Sequence, residues 1–199
     1  MTISILAGGQ SQRMGTDKAF LEYKGSSFIQ IISNEMLKIS NDVLVIIGTK
    51  DSSPFEKVLD PSVRIFNDEY RIGNPMGGML SATKYAKNEY SAFLACDTPL
   101  VKNRLVKYLY DLSLGHSAAI PGTKRNDCEP LCAVYNIQAV KDAGLEALKR
   151  NKIGCKNLIS FLSDVVYVNV EELRHFDPKL DSFLNINSQK DLDSLRLSK

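Results

Sequence analysis

The stretch Ile3-Ser4-Ile5-Leu6-Ala7-Gly8-Gly9-Gln10-Ser11-Gln12-Arg13-Met14-Gly15-Thr16-Asp17-Lys18-Ala19 joins a short apolar run directly to a segment rich in glycine and carrying two cations. The run at residues 3–7 is apolar apart from Ser4 and stops at glycine, which reads as a buried strand. Three of the chain's twelve glycines fall within residues 8–15. Without Cβ they let backbone N–H groups approach a bound anion, and Arg13 and Lys18 would neutralise polyphosphate charge. The alternative is an ordinary glycine turn with solvated charges. The segment fits neither G-x-G-x-x-G nor G-x-x-x-x-G-K-[ST], so a phosphate cradle of another kind is required.

Outward from this stretch, similar short runs recur at residues 43–47, 63–66, 92–96, 118–120 and 165–170, each reading as a buried strand. Segments with helical spacing lie between several of them. The clearest is 27–39, where Ser27 and Gln30 can form a capping box and Phe28, Ile31, Ile32 and Leu37 share a face. Weaker helices are predicted at 81–87 and 103–112. This alternation predicts an α/β fold: a mostly parallel, Rossmann-like sheet with helices on both faces and right-handed crossovers. Ligands of such sheets bind beyond the carboxyl ends of the strands.

The chain has 199 residues. With no internal repeat and no linker rich in Pro, Gly or Ser, residues 1–199 are expected to form a single domain. Lys and Arg number 25 against 23 Asp and Glu, a net charge of +2. No global basic field exists to capture nucleic acid or an anionic membrane, so phosphate chemistry must use local charge. No apolar run approaches the length of a membrane span, and no basic start precedes a signal-peptide core, so a cytoplasmic protein is expected. Cys96, Cys128, Cys132 and Cys155 lack C-x-x-C spacing, and His116 and His175 lie far from them in sequence. Buried reduced thiols are expected rather than a zinc site.

Four more stretches carry candidate chemistry. Ala92-Phe93-Leu94-Ala95-Cys96-Asp97-Thr98-Pro99 ends an apolar strand in Asp-x-Pro, where Asp97 would project into the ligand crevice as an oxygen ligand for Mg2+. Its alternative is a cap for the next helix. Asn67-Asp68 precedes Gly73-Asn74-Pro75-Met76-Gly77-Gly78. Lys124-Arg125 precedes Glu129-Pro130-Leu131-Cys132-Ala133-Val134-Tyr135. Near the carboxyl end stands Phe183-Leu184-Asn185-Ile186-Asn187-Ser188. In an extended strand Asn185 and Asn187 face one side and Ile186 the other. The bland alternatives are a solvated loop carboxylate at Asp68, a solvated charge pair at Lys124 and Arg125, and a polar strand end before a Ser188 helix cap.

Together these stretches resemble the molybdenum cofactor guanylyltransferase family over almost the whole chain. L-A-G-G-x-S-x-R-M-G-x-D-K-A is similar to its signature loop without a gap, and the double glycine after Leu-Ala is similar to the guanine-selecting form. The resemblance implies GTP as donor and molybdopterin, or the molybdenum cofactor, as acceptor. It implies that Leu6, Ala7, Gly8, Gly9 and Ser11 cradle guanine and phosphate, that Arg13 and Lys18 meet phosphate charge, and that Asp97 holds magnesium. Asp68 with a Gly-Pro-x-Gly-Gly turn ending in Gly77 and Gly78 would help bind the nucleoside. Lys124, Arg125 and an Asn185–Asn187 strand would face the acceptor. The product would be handed to other cofactor-biosynthesis proteins or apo-molybdoenzymes. Asn74 and Gln189 depart from the family pattern.

Positioning and electrostatics dominate nucleotidyl transfer, so a phosphate acceptor that is already anionic needs no histidine base. Two other readings stay open: a cytidylyltransferase or other small-molecule nucleotidyltransferase on the same scaffold, and a GTP-binding regulatory or delivery protein without turnover.

Overall fold

The computed structural model describes residues 1–9, 17–187 and 189–197. Every residue of β1 (Thr2–Leu6) is buried, as in a strand covered on both sides, and its two polar side chains are paired, Thr2 Oγ1 with Asp42 and Ser4 Oγ with Ser91. The chain continues through a 3-10 turn (Lys18–Phe20) and a small hairpin, β2 (Glu22–Tyr23) and β3 (Ser26–Ser27), into α1 (Phe28–Leu37) and β4 (Val43–Ile46). Next come α2 (Ser53–Glu56), β5 (Arg64–Phe66), α3 (Pro75–Ala82), β6 (Tyr90–Ala95) and α4 (Asn103–Ser113). The remaining elements are β7 (Ala118–Lys124), β8 (Asp127–Cys128), β9 (Cys132–Asn136), α5 (Ile137–Lys149), α6 (Cys155–Ile159), β10 (Val165–Val168), two 3-10 turns (Glu172–His175 and Asp181–Phe183) and α7 (Gln189–Leu197).

The central sheet runs β10-β7-β9-β6-β1-β4-β5, with β8 paired to β7 at the side. Strand β1 is parallel to both neighbours, Leu6 standing opposite Ile46 of β4 and Ala95 of β6. The pairs β4–β5 and β7–β10 are also parallel, while β9 is antiparallel to β6 and β7. The sheet is therefore mostly parallel, as expected. Chain order reverses across β1, which places a switch-point crevice beyond Leu6.

Alternate strand residues serve two cores. Ile29, Ile32 and Met36 of α1 and Leu105 and Leu109 of α4 meet Ile3, Ile5, Val45 and Leu94 on one face. On the other, Met79, Leu80, Val140, Ala147 and Leu158 pack against Leu44, Ile46, Phe93 and Tyr135. A Cβ on Gly144 would stand 2.5 Å from Leu80 Cδ2, so the glycine lets α5 lie close to α3. Helix α1 begins where the capping box predicts, with Gln30 Oε1 accepting from the Ser27 N–H at 2.9 Å. No helix among the described residues is long and apolar enough to cross a membrane.

Two sequence expectations are corrected. The glycine stretch read as a turn, with a helix at 81–87 after it, is itself the start of α3. Asn74 Oδ1 accepts from Met76 N at 2.9 Å and Pro75 takes the first helical position, so the helix begins six residues earlier than the spacing suggested. Residues 184–187 form no strand. Beyond β6 the chain turns, Thr98 N donating to Ala95 O, which leaves no ladder to extend, and Ile186 N makes a single bond to Asp97 O at 2.9 Å. Ile186 is buried while Asn185 and Asn187 are exposed, so the expected alternation survives without the strand.

Candidate functional site

The segments leaving β1, β4, β5 and β6 at their carboxyl ends surround a cavity of about 1090 Å³, among whose lining residues are Leu6, Gly9, Lys18, Asp68 and Asp97. Its floor is tight. A Cβ on Gly8 would lie 2.9 Å from both Cα and N of Gly48, and Gly48 itself has φ +69, a left-handed backbone suited to glycine. Gly48 O in turn accepts from Asp68 N at 2.8 Å, which ties the β4 and β5 exits together. A Cβ on Gly9, by contrast, would meet none of the described residues within 4 Å, so among them that position opens toward ligand space. Leu6 and Gly8 also line the cavity; Ala7 is buried behind them.

Lys18 enters from the 3-10 turn, whose N-cap is Asp17; Asp17 Oδ1 accepts from Ala19 N at 3.1 Å. The Lys18 ammonium stands 3.3 Å from Asp97 Oδ2 and 2.6 Å from Asn187 Oδ1. Both side chains of the Lys18–Asp97 pair are about one-quarter exposed, at 24% and 23%, so they remain accessible to a ligand. Asp97 does not cap the following helix: the N-cap position of α4 belongs to Lys102. Asn185 also lines the cavity. Carboxylate and amide oxygens suit a hard divalent cation that keeps waters and phosphate oxygens as its other ligands. Among the described residues, no group of three or more His, Cys, Asp or Glu side chains is arranged to hold a metal ion. Ser11 and Arg13 lie outside the described residues.

Asp68 is only 9% exposed and is held by three donors to Oδ1: Ser81 Oγ at 2.7 Å, Tyr70 N at 2.9 Å and Arg71 N at 3.3 Å. Gly77 is glycine because a Cβ there would stand 2.7 Å from Asp68 Oδ2, while one on Gly78 would crowd Leu6 Cδ2 at 3.2 Å. Gly78 lines the cavity, whereas Gly77 packs behind Asp68. Both glycines therefore act first through packing.

Lys124 and Arg125 are exposed on the β7–β8 hairpin and do not line the cavity. The structure does not bring them to Lys18 and Asp97, because Gly122 is packed tightly under Asp127 and Cys128 and the hairpin turn beyond it faces solvent. Lys156 lines the cavity instead and donates to Asn126 O of the same hairpin at 2.8 Å. Opposite runs Glu129, whose carboxyl is raised above its usual range by partial burial, with Lys156 opposing and Asp127 reinforcing the shift. All four cysteines are free. Burial pushes the Cys96 and Cys132 thiols up to about 12 and Cys155 to about 11. These three line the cavity as neutral groups rather than thiolate nucleophiles.

Sequence reasoning passed over Gly48, Lys50, Arg71 and Lys156. Gly48 and Lys50 had a usable signal, since Gly-Thr-Lys directly follows the apolar run at 43–47 and so falls at a strand's carboxyl end. Arg71 has φ +48, a conformation uncommon outside glycine, and lines the cavity; no local sequence cue announces it.

The sequence model of the MobA-like NTP transferase domain matches residues 3–167. A Methanosarcina mazei protein described as a probable molybdenum cofactor guanylyltransferase is 31% identical, over 96% of this chain and 88% of its own. A Methanothermobacter thermautotrophicus protein of the same description is 33% identical, over 96% of both chains. The crystal structure of molybdopterin-guanine dinucleotide biosynthesis protein A from Archaeoglobus fulgidus superposes with a TM-score of 0.79 at 27% identity, covering 98% of this chain and 96% of that one. With a switch-point cavity holding Gly9, Lys18 and Asp97 and a domain match across most of its length, this chain belongs to the MobA-like NTP transferase family.

Proposed function

We propose that the protein transfers GMP from GTP to the terminal phosphate of molybdopterin, releasing pyrophosphate and forming the guanine dinucleotide cofactor. The observation that carries this reading is the convergence of Gly9, Lys18, Asp68 and Asp97 on one cavity at the carboxyl ends of β1, β5 and β6. An acceptor phosphate oxygen attacks the α-phosphorus, a new P–O bond forms, and the bond to the bridging oxygen of the β-phosphate breaks. Lys18 stabilises the negative charge gathered on the phosphates, in a site where fixed charges act without reorganising. Gly8 and Gly9 leave backbone groups free to meet guanine and phosphate, with Ser11 and Arg13 assigned to the same cradle on sequence alone. Asp68 is positioned for the nucleoside.

Asp97, with Asn185 of the same cavity, would hold Mg2+, which when bound supplies charge neutralisation for the triphosphate. The acceptor occupies the side formed by Glu129–Cys132 and residues 153–157, where Lys156 is the facing cation. Lys124 and Arg125 adjoin that side through the Asn126 contact and add charge rather than direct grip. Residues 1–199 act as one catalytic unit, in the cytoplasm, with handover of the product to proteins that use or insert the cofactor.

The test offers equal GTP and CTP with magnesium and molybdopterin and identifies the adduct by mass. A site built around specific hydrogen bonds leaves buried groups unpaired with the wrong base, so guanylyl product should dominate by about a hundredfold. Predominant cytidylyl product would overturn the choice of donor, and binding of GTP without any adduct would favour a delivery protein.

A further inference from the structure

Lys50 does not line the cavity, yet its ammonium joins both stems of the glycine-rich loop. Nζ donates to Ala7 O at 2.5 Å, where the chain leaves β1, and stands 2.6 Å from Asp17 Oδ2, where the chain enters the turn bearing Lys18. The pair is sheltered, with Lys50 21% and Asp17 23% exposed. Asp17 spends its other oxygen on Ala19 N, so one carboxylate receives Lys50 on one side and fixes the Lys18 turn on the other. Lys50 is itself anchored: Asn67 Nδ2 donates to Lys50 O at 3.0 Å and to Gly48 O at 3.1 Å. A continuous set of contacts thus runs from the β5 exit through Lys50 and Asp17 to the backbone that carries Lys18.

We propose that Lys50 is a positioning residue for nucleotidyl transfer, holding the Ala7 carbonyl and the Asp17 carboxylate together so that Lys18 stands where the phosphates need it. This rests on the transferase reading above, and the ion pair gives it a physical reason. A single ion pair of this kind adds little to global stability, so its use lies in geometry. Small misplacement of a charged group in such a site costs rate steeply, because positioning supplies much of the barrier reduction.

The experiment compares the wild type with Lys50→Met, Lys50→Arg, Asp17→Asn and the Lys50→Met/Asp17→Asn double variant. Lys50→Met should lower kcat about tenfold or more while its melting temperature stays near that of the wild type, and Lys50→Arg should restore most of the loss. Losses at the two positions should be non-additive, the double variant resembling either single one. An activity-independent arm measures amide exchange at Ala19, which should quicken about tenfold in Lys50→Met as its acceptor loosens. Unchanged kcat in Lys50→Met, additive losses, or an equal loss in Lys50→Arg would overturn the positioning role. A wild type that forms no adduct would refute the transferase reading instead, and unaltered exchange at Ala19 would then still refute the coupling.

Discussion

The Lys18 ammonium stands 3.3 Å from Asp97 Oδ2, although 79 positions separate the two residues. The contact joins the segment after β1 to the segment after β6, and neighbouring strands in parallel register are what make it possible. An ion pair about one-quarter exposed contributes only about 0.2–1 kcal/mol, so its partners are not explained by stability. Lys18→Ala should therefore lower kcat/KM about a hundredfold while changing unfolding free energy by less than about 1 kcal/mol. Steady-state kinetics beside denaturant unfolding separates the two effects, and near-normal turnover would remove Lys18 from the catalytic groups.

Asp97→Asn preserves shape and the backbone carbonyl that accepts from Ile186 N, but removes the charge proposed to attract Mg2+. Activity should fall and partly recover as magnesium is raised, shifting the half-saturating concentration upward by about tenfold. A magnesium titration of both proteins reads this directly. An unchanged midpoint would argue that Asp97 acts through Lys18 alone.

The fold was legible because runs such as 43–47 are apolar without interruption, and only a strand covered on both faces uses such a run at that length. Lys18 and Asp97 were legible because the glycine-rich stretch that ends at Lys18 follows β1 and Asp97 follows β6, where an α/β sheet binds ligands. What escaped depends on distant packing. The helix expected at 81–87 was misplaced because Gly77 and Gly78 look like turn residues until Asp68 and Leu6 are seen to occupy the space their Cβ atoms would need. Helix α5, absent from the sequence reading, buries Val140, Ala143, Gly144 and Ala147, three of them small residues that a search for large apolar side chains passes over. Lys124 and Arg125 illustrate the opposite case: a conspicuous cation pair whose hairpin leaves it outside the cavity.

At the opposite end of β1, Asp42 is 4% exposed and gathers Thr2 Oγ1 at 2.6 Å, Lys87 N at 3.0 Å and the Arg64 guanidinium. Burial alone would raise its carboxyl, but these donors outweigh it and hold the group below the usual carboxylate range. A depressed folded-state pKa adds stability above the unfolded value, near pH 4, and that contribution is lost as pH falls through the folded value. Asp42→Asn should cost about 1–3 kcal/mol at pH 7, since it turns an amide N–H donor toward groups that themselves donate. The gap from wild type should close below about pH 4, as the wild-type carboxyl takes up its proton. Denaturant unfolding across that interval checks the sign; a constant gap would show that the ionised form contributes nothing.

The two adjacent glycines of the loop should part company on substitution. Gly8 faces the Gly48 backbone, with Cα and N each 2.9 Å from where a Cβ would sit, and backbone cannot swing aside as a side chain can. Gly8→Ala should cost about 1–3 kcal/mol of stability through overpacking, and any loss of activity would follow from that distortion. Gly9→Ala adds a methyl that meets no atom of the described residues within 4 Å, so stability should change by less than about 0.5 kcal/mol. If guanine approaches the Gly9 backbone, that methyl obstructs the larger base more than the pyrimidine, and the preference for GTP over CTP should narrow about tenfold. Unfolding curves and a GTP–CTP competition on the same preparations decide it. A Gly9→Ala protein that retains the full preference would place base selection elsewhere in the cavity, at the walls formed by Leu6 and Asp68, while a destabilised Gly9→Ala would mean that the position is packed rather than open.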